Sequence, residues 1–241
     1  MLFNEVPFLD RFALAAKNGF SAVEFLFPYS YPNQKLKSLL KDNNLELALY
    51  NLPAGNWQLG ERGIACLPDR MQEFRDGVSL AIDYAKTLGC SRLNSLAGIA
   101  PTGVHPNKLT QIMVENLGFA AEACAQQGIT LLIEPINTID IPGFFLCNTE
   151  QAVKIINSVG AKNLKLQYDI YHMQIMEGNL TSTIETYFDL IGHIQLADNP
   201  GRHEPGSGEI NYPFLIHRID ELGYEGWIGC EYQPATNTSA G

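Results

Sequence analysis

The sequence predicts an α/β fold, a (β/α)8 TIM barrel, and three observations predict it. Short apolar runs with a β bias alternate from end to end with segments of helical apolar spacing. Several of those runs finish on a carboxylate or an amide, which is where parallel α/β proteins place their chemistry. No GxGxxG or GxxxxGK[ST] loop follows any strand, which removes the usual signature of a doubly wound nucleotide-binding sheet.

Taken in order, residues 6–19 (VPFLDRFALAAKNG) carry helical spacing and close on Asn-Gly, and 22–28 (AVEFLFP) is a short strand. Residues 34–44 are amphipathic, and 45–52 (LELALYNL) form the next strand. A long helix over 69–89 precedes a strand over 92–97, and a second long helix over 105–128 precedes a strand over 130–137 (TLLIEPIN). Asn148 and Thr149 cap a helix that runs to Gly160, with Glu150 in its first turn. A strand over 164–172 (LKLQYDIYH), a helix over 181–189 and a strand over 191–197 follow. The loop after that strand (NPGRHEPGSGEIN) is dense in Gly, Pro and charge, and leads into a helix over 212–223 and a final strand over 227–233 (WIGCEYQ). The pattern is seven strands and seven helices in strict alternation, hence right-handed βαβ units and a parallel sheet. It opens on a helix and stops at a strand, so relative to a full barrel it lacks the first strand and the last helix. Seven strands would leave two unpaired edges around an apolar lumen, so residues are expected to be missing from both ends.

The chain has 241 residues, 46% hydrophobic and 17% charged, with a formal net charge of −10. No apolar run reaches the length of about 18 residues that a membrane helix needs, and no signal peptide is read at the N-terminus. The five cysteines share no metal-type spacing and read as reduced thiols of a cytoplasmic protein. No Lys/Arg cluster exists, which argues against nucleic acid as a partner. The acidic field also means that an anionic substrate would need a local cation.

Four polar residues stand within or at the end of apolar strands: Glu134, Asp169, Gln195 and Glu231. One alone would read as an exposed strand end or a structural salt bridge. Four in the same relative position read as a convergent group, and three carboxylates brought together repel unless a cation joins them. Such hard oxygen donors suit Mg²⁺ or Mn²⁺, with Co²⁺ a third candidate. His172 follows Asp169 by three residues and reads as a hydrogen-bond partner of a substrate oxygen or of a ligating carboxylate, or simply as a loop histidine. Arg202, on the loop after Gln195, is the candidate local cation for a substrate carboxylate, with His203 beside it; the plainer reading of Arg202 is a loop-fixing pair with Glu204 or Asp198. Asn51, Asn94 and Asn137 lie near strand ends and are left unassigned.

The segments VEFLFPYSY, LLIEPIN, QYDIYH, HIQLAD, GRHEP, GEINYPF and GYEGWIGCEY together resemble the hydroxypyruvate isomerase family. That family belongs to the xylose-isomerase-like barrels, with ketose 3-epimerases and an apurinic endonuclease branch. The resemblance spans residues 1–241 as one domain, and family members carry a strand ahead of the point where this sequence begins. It implies Glu134 and Glu231 as the catalytic pair, a divalent metal held by Glu134, Asp169, Gln195 and Glu231, and substrate contacts from His172, Arg202 and His203. In the epimerase relatives the third ligand is usually His, so Gln195 implies weaker metal binding. The implied reaction interconverts hydroxypyruvate and tartronate semialdehyde through an enediol(ate). A 2-oxo-tetronate isomerase and a ketose 3-epimerase are the alternatives, a repair nuclease and a non-catalytic binding barrel the more distant ones. The implied partner is a small 2-oxo acid, with neither nucleic acid nor membrane, and a homo-oligomer is left open.

Overall fold

In the computed structural model, residues 1–238 are described. Seven parallel strands form one sheet in sequential order: β1 (Ala22–Phe25), β2 (Glu46–Asn51), β3 (Arg92–Ser95), β4 (Thr130–Ile133), β5 (Leu164–Asp169), β6 (Ile191–Leu196) and β7 (Ile228–Cys230). α1 (Arg11–Lys17) precedes β1, and between the strands run α2 (Asn33–Asp42), α3 (Met71–Leu88), α4 (Pro106–Ala125), α5 (Thr149–Val159), α6 (Ile170–Met176), α7 (Leu180–Tyr187) and α8 (Tyr212–Glu221). The sheet curls into a nearly closed barrel with its helices outside, as the alternation predicts.

Local chemistry sets the boundaries. α5 starts where the Asn148 side chain accepts from the Gln151 amide at 2.8 Å, and ends at Gly160, whose φ of 67° favours a residue without Cβ. α3 buries Phe74, Val78, Ala81, Ala85 and Leu88, the spacing of a single helical face turned to the sheet. The strands are otherwise shorter than their apolar runs. Pro135 follows Glu134 and cannot donate to a ladder, so β4 stops at Ile133 and leaves Glu134 just beyond the strand end.

The helix count differs from the expected alternation. Residues 170–172 belong to α6, not to a strand. The reason is Asp169, whose Oδ1 accepts from the Tyr171 amide at 2.8 Å and so ends β5 while capping a helix. The expected helix over 6–19 also divides: Pro7 precedes a short 3₁₀ turn at Phe8–Asp10, and α1 proper begins at Arg11.

Candidate active site

The parallel register sets the height of the polar side chains. Asp169 and Gln195 are register partners on β5 and β6, Glu134 is the residue after β4, and Glu231 is the residue after β7. All four lie at the carboxyl ends of the strands. Glu134, Asp169 and His172 are buried and offer ligand atoms within 4.8 Å of one another. His172 Nε2 lies 3.6 Å from Asp169 Oδ2 and 4.0 Å from Glu134 Oε1. Glu231 joins the group through Arg202, whose Nη2 is 3.5 Å from Glu231 Oε1 and 3.7 Å from Asp169 Oδ2. The guanidinium also approaches Asp140 at 3.7 Å and lies 5.0 Å from the centre of the Tyr171 ring. Arg202 thus makes no ion pair with Glu204 or Asp198 of its own loop; it faces the carboxylates instead.

Protonation follows from this crowding. Burial, reinforced by the charges of Glu231 and Asp169, holds the Glu134 carboxyl well above its usual range. Burial likewise raises Asp169 and Glu231, although Arg202 pulls both back. His172 is pushed down to about 3, first by burial and then by the adjacent guanidinium, so its imidazole is neutral. Arg202 is partly buried too, but the surrounding carboxylates outweigh that and strengthen its charge.

Gln195 points into a second polar group below the first. Its Nε2 donates to Glu24 Oε1 at 2.7 Å, and its Oε1 accepts from Gln167 Nε2. Glu24 Oε2 lies 2.7 Å from His193 Nε2, so β1, β5 and β6 are joined across the inner face of the barrel. Gly229 permits this: a Cβ there would fall 2.3 Å from the Glu24 carboxylate. A cavity of about 510 Å³ between β1 and β7 is lined by Glu24, Gln195 and Glu231 together with Phe25, Trp57 and Trp227.

His203 is directed elsewhere. Its Nδ1 meets the Gln233 carbonyl at 2.7 Å, and its own carbonyl accepts from the Asp198 amide, so it fixes the loop that carries Arg202. Sequence reasoning passed over Glu24 and His193, and left unassigned Asn94, which donates to Glu134 Oε2 at 2.9 Å, and Asn137, whose Nδ2 is 2.7 Å from His172 Nδ1. The signal was there for Glu24 and Asn94, each a polar residue inside an apolar run.

The donors suit a hard divalent cation. Asp169 Oδ2 is buried with no hydrogen-bond partner, and the surrounding oxygens are carboxylate and amide. The five cysteines are all free thiols, and no helix among the described residues is long and apolar enough to cross a membrane.

Residues 12–241 match the family model of the xylose isomerase-like TIM barrel. The chain is 56% identical to hydroxypyruvate isomerase of Escherichia coli strain K12, covering 100% of this chain and 93% of that one. It is 49% identical to 2-oxo-tetronate isomerase of Cupriavidus necator, with the same 100% and 93% coverage. A crystal structure described as AP endonuclease, family 2, from Brucella melitensis superimposes with a TM-score of 0.97 at 45% identity, over 100% of this chain and 93% of that one. The chain therefore belongs to the hydroxypyruvate isomerase family of xylose isomerase-like TIM barrels.

Proposed function

We propose that the protein interconverts hydroxypyruvate and tartronate semialdehyde, with Glu134 and Glu231 as the proton-transfer pair. The observation that carries this reading is the pair of carboxylates, Glu134 buried and Glu231 partly buried, both raised above their usual range in a group that the Arg202 guanidinium joins through Glu231 and Asp169. Raised carboxyls are suited to exchange protons near neutral pH. Arg202 supplies the local cation that a substrate carboxylate requires in a chain of net charge −10.

One glutamate removes a proton from C3 of hydroxypyruvate, and the electron pair of that C–H bond forms the C2–C3 double bond. The C2 carbonyl electrons move to its oxygen and give the enediolate. The other glutamate delivers a proton to C2, using the C2–C3 double-bond electrons, while the C3 hydroxyl proton passes to the C2 oxygen, so that C3 becomes the aldehyde carbonyl and the C2 oxygen a hydroxyl. His172, neutral and close to both Asp169 and Glu134, is placed to hydrogen-bond the oxygen on which negative charge develops. Arg202 holds the carboxylate end, and His203 keeps the Arg202 loop in place. Glu134, Asp169 and Glu231 would hold Mg²⁺ or Mn²⁺, which when bound would supply electrophilic stabilisation of that developing charge; Gln195, expected as a fourth ligand, has its amide oxygen turned to Gln167 and would join them only by giving up that bond.

A second reading, isomerisation of a 2-oxo-tetronate, is favoured by the name of the 49%-identical relative and differs by one hydroxymethyl carbon. An endonuclease activity, which the Brucella title names for that protein, fits poorly with the acidic balance and the absence of any Lys/Arg cluster. A ketose 3-epimerase would have no substrate carboxylate, so Arg202→Ala would leave its rate unchanged. The five thiols are consistent with a cytoplasmic location.

The test is a proton NMR time course of hydroxypyruvate with purified protein, with and without EDTA. Tartronate semialdehyde should appear in the untreated sample, and its loss with EDTA would establish the metal requirement. Conversion of a 2-oxo-tetronate but not of hydroxypyruvate would transfer the assignment to the second reading.

A further inference from the structure

We propose that Asn137 sets the tautomer of His172, so that the imidazole presents an Nε2 proton to a substrate oxygen and not a lone pair to a cation. The inference rests on the isomerase reading above and gives this pair its division of labour: His172 touches the substrate, and Asn137 is a positioning residue acting through it.

The argument begins with the orientation of the Asn137 amide, whose two ends are alike in shape and differ in hydrogen bonding. One end accepts from two backbone amides, Ile139 at 3.1 Å and Asp140 at 2.7 Å, and is therefore the oxygen. The other end is the NH₂. It lies 2.7 Å from His172 Nδ1 and 3.1 Å from Asp140 Oδ2, two acceptors for its two protons. An amide nitrogen has no lone pair to offer, so His172 Nδ1 must accept. A neutral imidazole carries one proton, and that proton is then on Nε2. The same contact excludes the doubly protonated ring, which would set an N–H against the Asn137 NH₂.

Nε2 faces the carboxylate group. Its nearest carboxylate oxygens are Asp169 Oδ2 at 3.6 Å and Glu134 Oε1 at 4.0 Å, both longer than a hydrogen bond. Arg202 Nη2 is 3.5 Å away, and a guanidinium there would call for a lone pair at Nε2; the Asn137 contact at 2.7 Å is much the shorter and decides the tautomer. Proximity to Glu134 and Asp169 alone would make His172 a third metal ligand. Ligation through Nε2 needs a lone pair at that atom, and the Asn137 amide withholds it. The neutral donor polarises a carbonyl without adding a second positive charge beside Arg202.

The test uses protein labelled with ¹⁵N in its histidines and prepared with Mg²⁺, the His172 signals being assigned by their loss in His172→Gln. Long-range ¹H–¹⁵N correlation should show His172 neutral, protonated at Nε2 and bare at Nδ1. In Asn137→Asp, a carboxylate replaces the NH₂ and demands a proton at Nδ1, so the pattern should change to the Nδ1–H or the doubly protonated ring. Turnover of hydroxypyruvate should fall about 10- to 100-fold with KM little changed, the scale of losing a group that orients a site residue. A wild-type ring protonated at Nδ1, or an Nε2–H pattern that survives in Asn137→Asp, would overturn the proposal, and the wild-type spectrum decides this even if the variant folds poorly. A correct tautomer in a protein that turns over no 2-oxo acid would instead sink the isomerase reading and leave the assignment of Asn137 standing.

Discussion

The barrel holds two carboxylate–histidine pairs of the same residue types, and they are built to opposite ends. In the lower pair, Glu24 and His193 meet at 2.7 Å, and the second Glu24 oxygen is taken by the Gln195 amide at the same distance. In the upper pair, His172 stands 3.6 Å from Asp169 and 4.0 Å from Glu134, and one Asp169 oxygen is buried without a hydrogen bond. Both groups are largely dehydrated, yet their acidities diverge. Burial works against the charge of Glu24, but the hydrogen bonds from His193 and Gln195 outweigh it and hold the carboxyl below its usual range. Burial of Glu134 is compounded by Glu231 and Asp169, and its carboxyl is held above. A carboxylate with both oxygens engaged by the fold keeps less hydrogen-bonding capacity for a ligand. One surrounded by its own kind retains that capacity, at a cost in stability.

The largest effect expected from this difference is on turnover. Glu134→Gln or Glu231→Gln keeps the size of the side chain and removes its ability to exchange a proton. Each should lower kcat by about 10²–10⁴, with the far-ultraviolet circular dichroism unchanged. A rate within about tenfold of wild type in either variant would mean that the raised carboxyls are not the proton-transfer pair, and the upper group would lose its claim to differ from the lower one in kind.

The two groups were not equally legible in the sequence. Glu134, Asp169, Gln195 and Glu231 stand out because each interrupts an apolar run near its end, and parallel alternation brings such positions to one rim. Glu24 interrupts its own run, AVEFLF, by the same criterion, but nothing local tells that it has partners. Its contacts with His193 and Gln195 lie 169 and 171 residues away along the chain. Gln195 shows the limit most clearly. Its strand and height were readable, whereas the direction of its amide depends on Glu24 and Gln167, two strands that only the closed sheet brings together. The helix α6 escaped for a local reason: Asp169 belongs to the strand pattern by its neighbours and to a helix cap by its side chain. The alternation of elements, which needs only local periodicity, carried through with small changes of boundary.

The next effect in size belongs to the lower pair and is one of stability. Glu24→Ala leaves the buried His193 and Gln195 donors without acceptors, a loss of about 3 kcal/mol in chemical denaturation. Glu24→Gln retains one acceptor and should lose about 1 kcal/mol. A loss well under 1 kcal/mol for the alanine variant would show that the lower group is as weakly committed to the fold as the upper one, and the contrast between them would collapse.

The smallest effect runs in the opposite direction and sharpens the contrast most. In metal-free protein, Glu134→Gln should stabilise the fold at pH 8, because it removes a buried charge that its neighbours oppose. The folded carboxyl binds its proton more tightly than the unfolded one, whose ordinary value is 4.5, so the folded state holds more protons across the interval above that value. Stability contributed by the protonated form is complete at acid pH and is lost as pH rises through the folded-state value. The glutamine variant has no such loss. Its advantage should be about 1 kcal/mol at pH 8, about 2–4 °C in Tm for a chain of this size, and should vanish near pH 4, below the unfolded value, where the wild-type carboxyl is mostly protonated in both states. Thermal melts of both proteins in EDTA at the two pH values measure it. A variant less stable than wild type at pH 8 would mean that the charged Glu134 is held by favourable contacts, as Glu24 is, and the two carboxylates would then be alike.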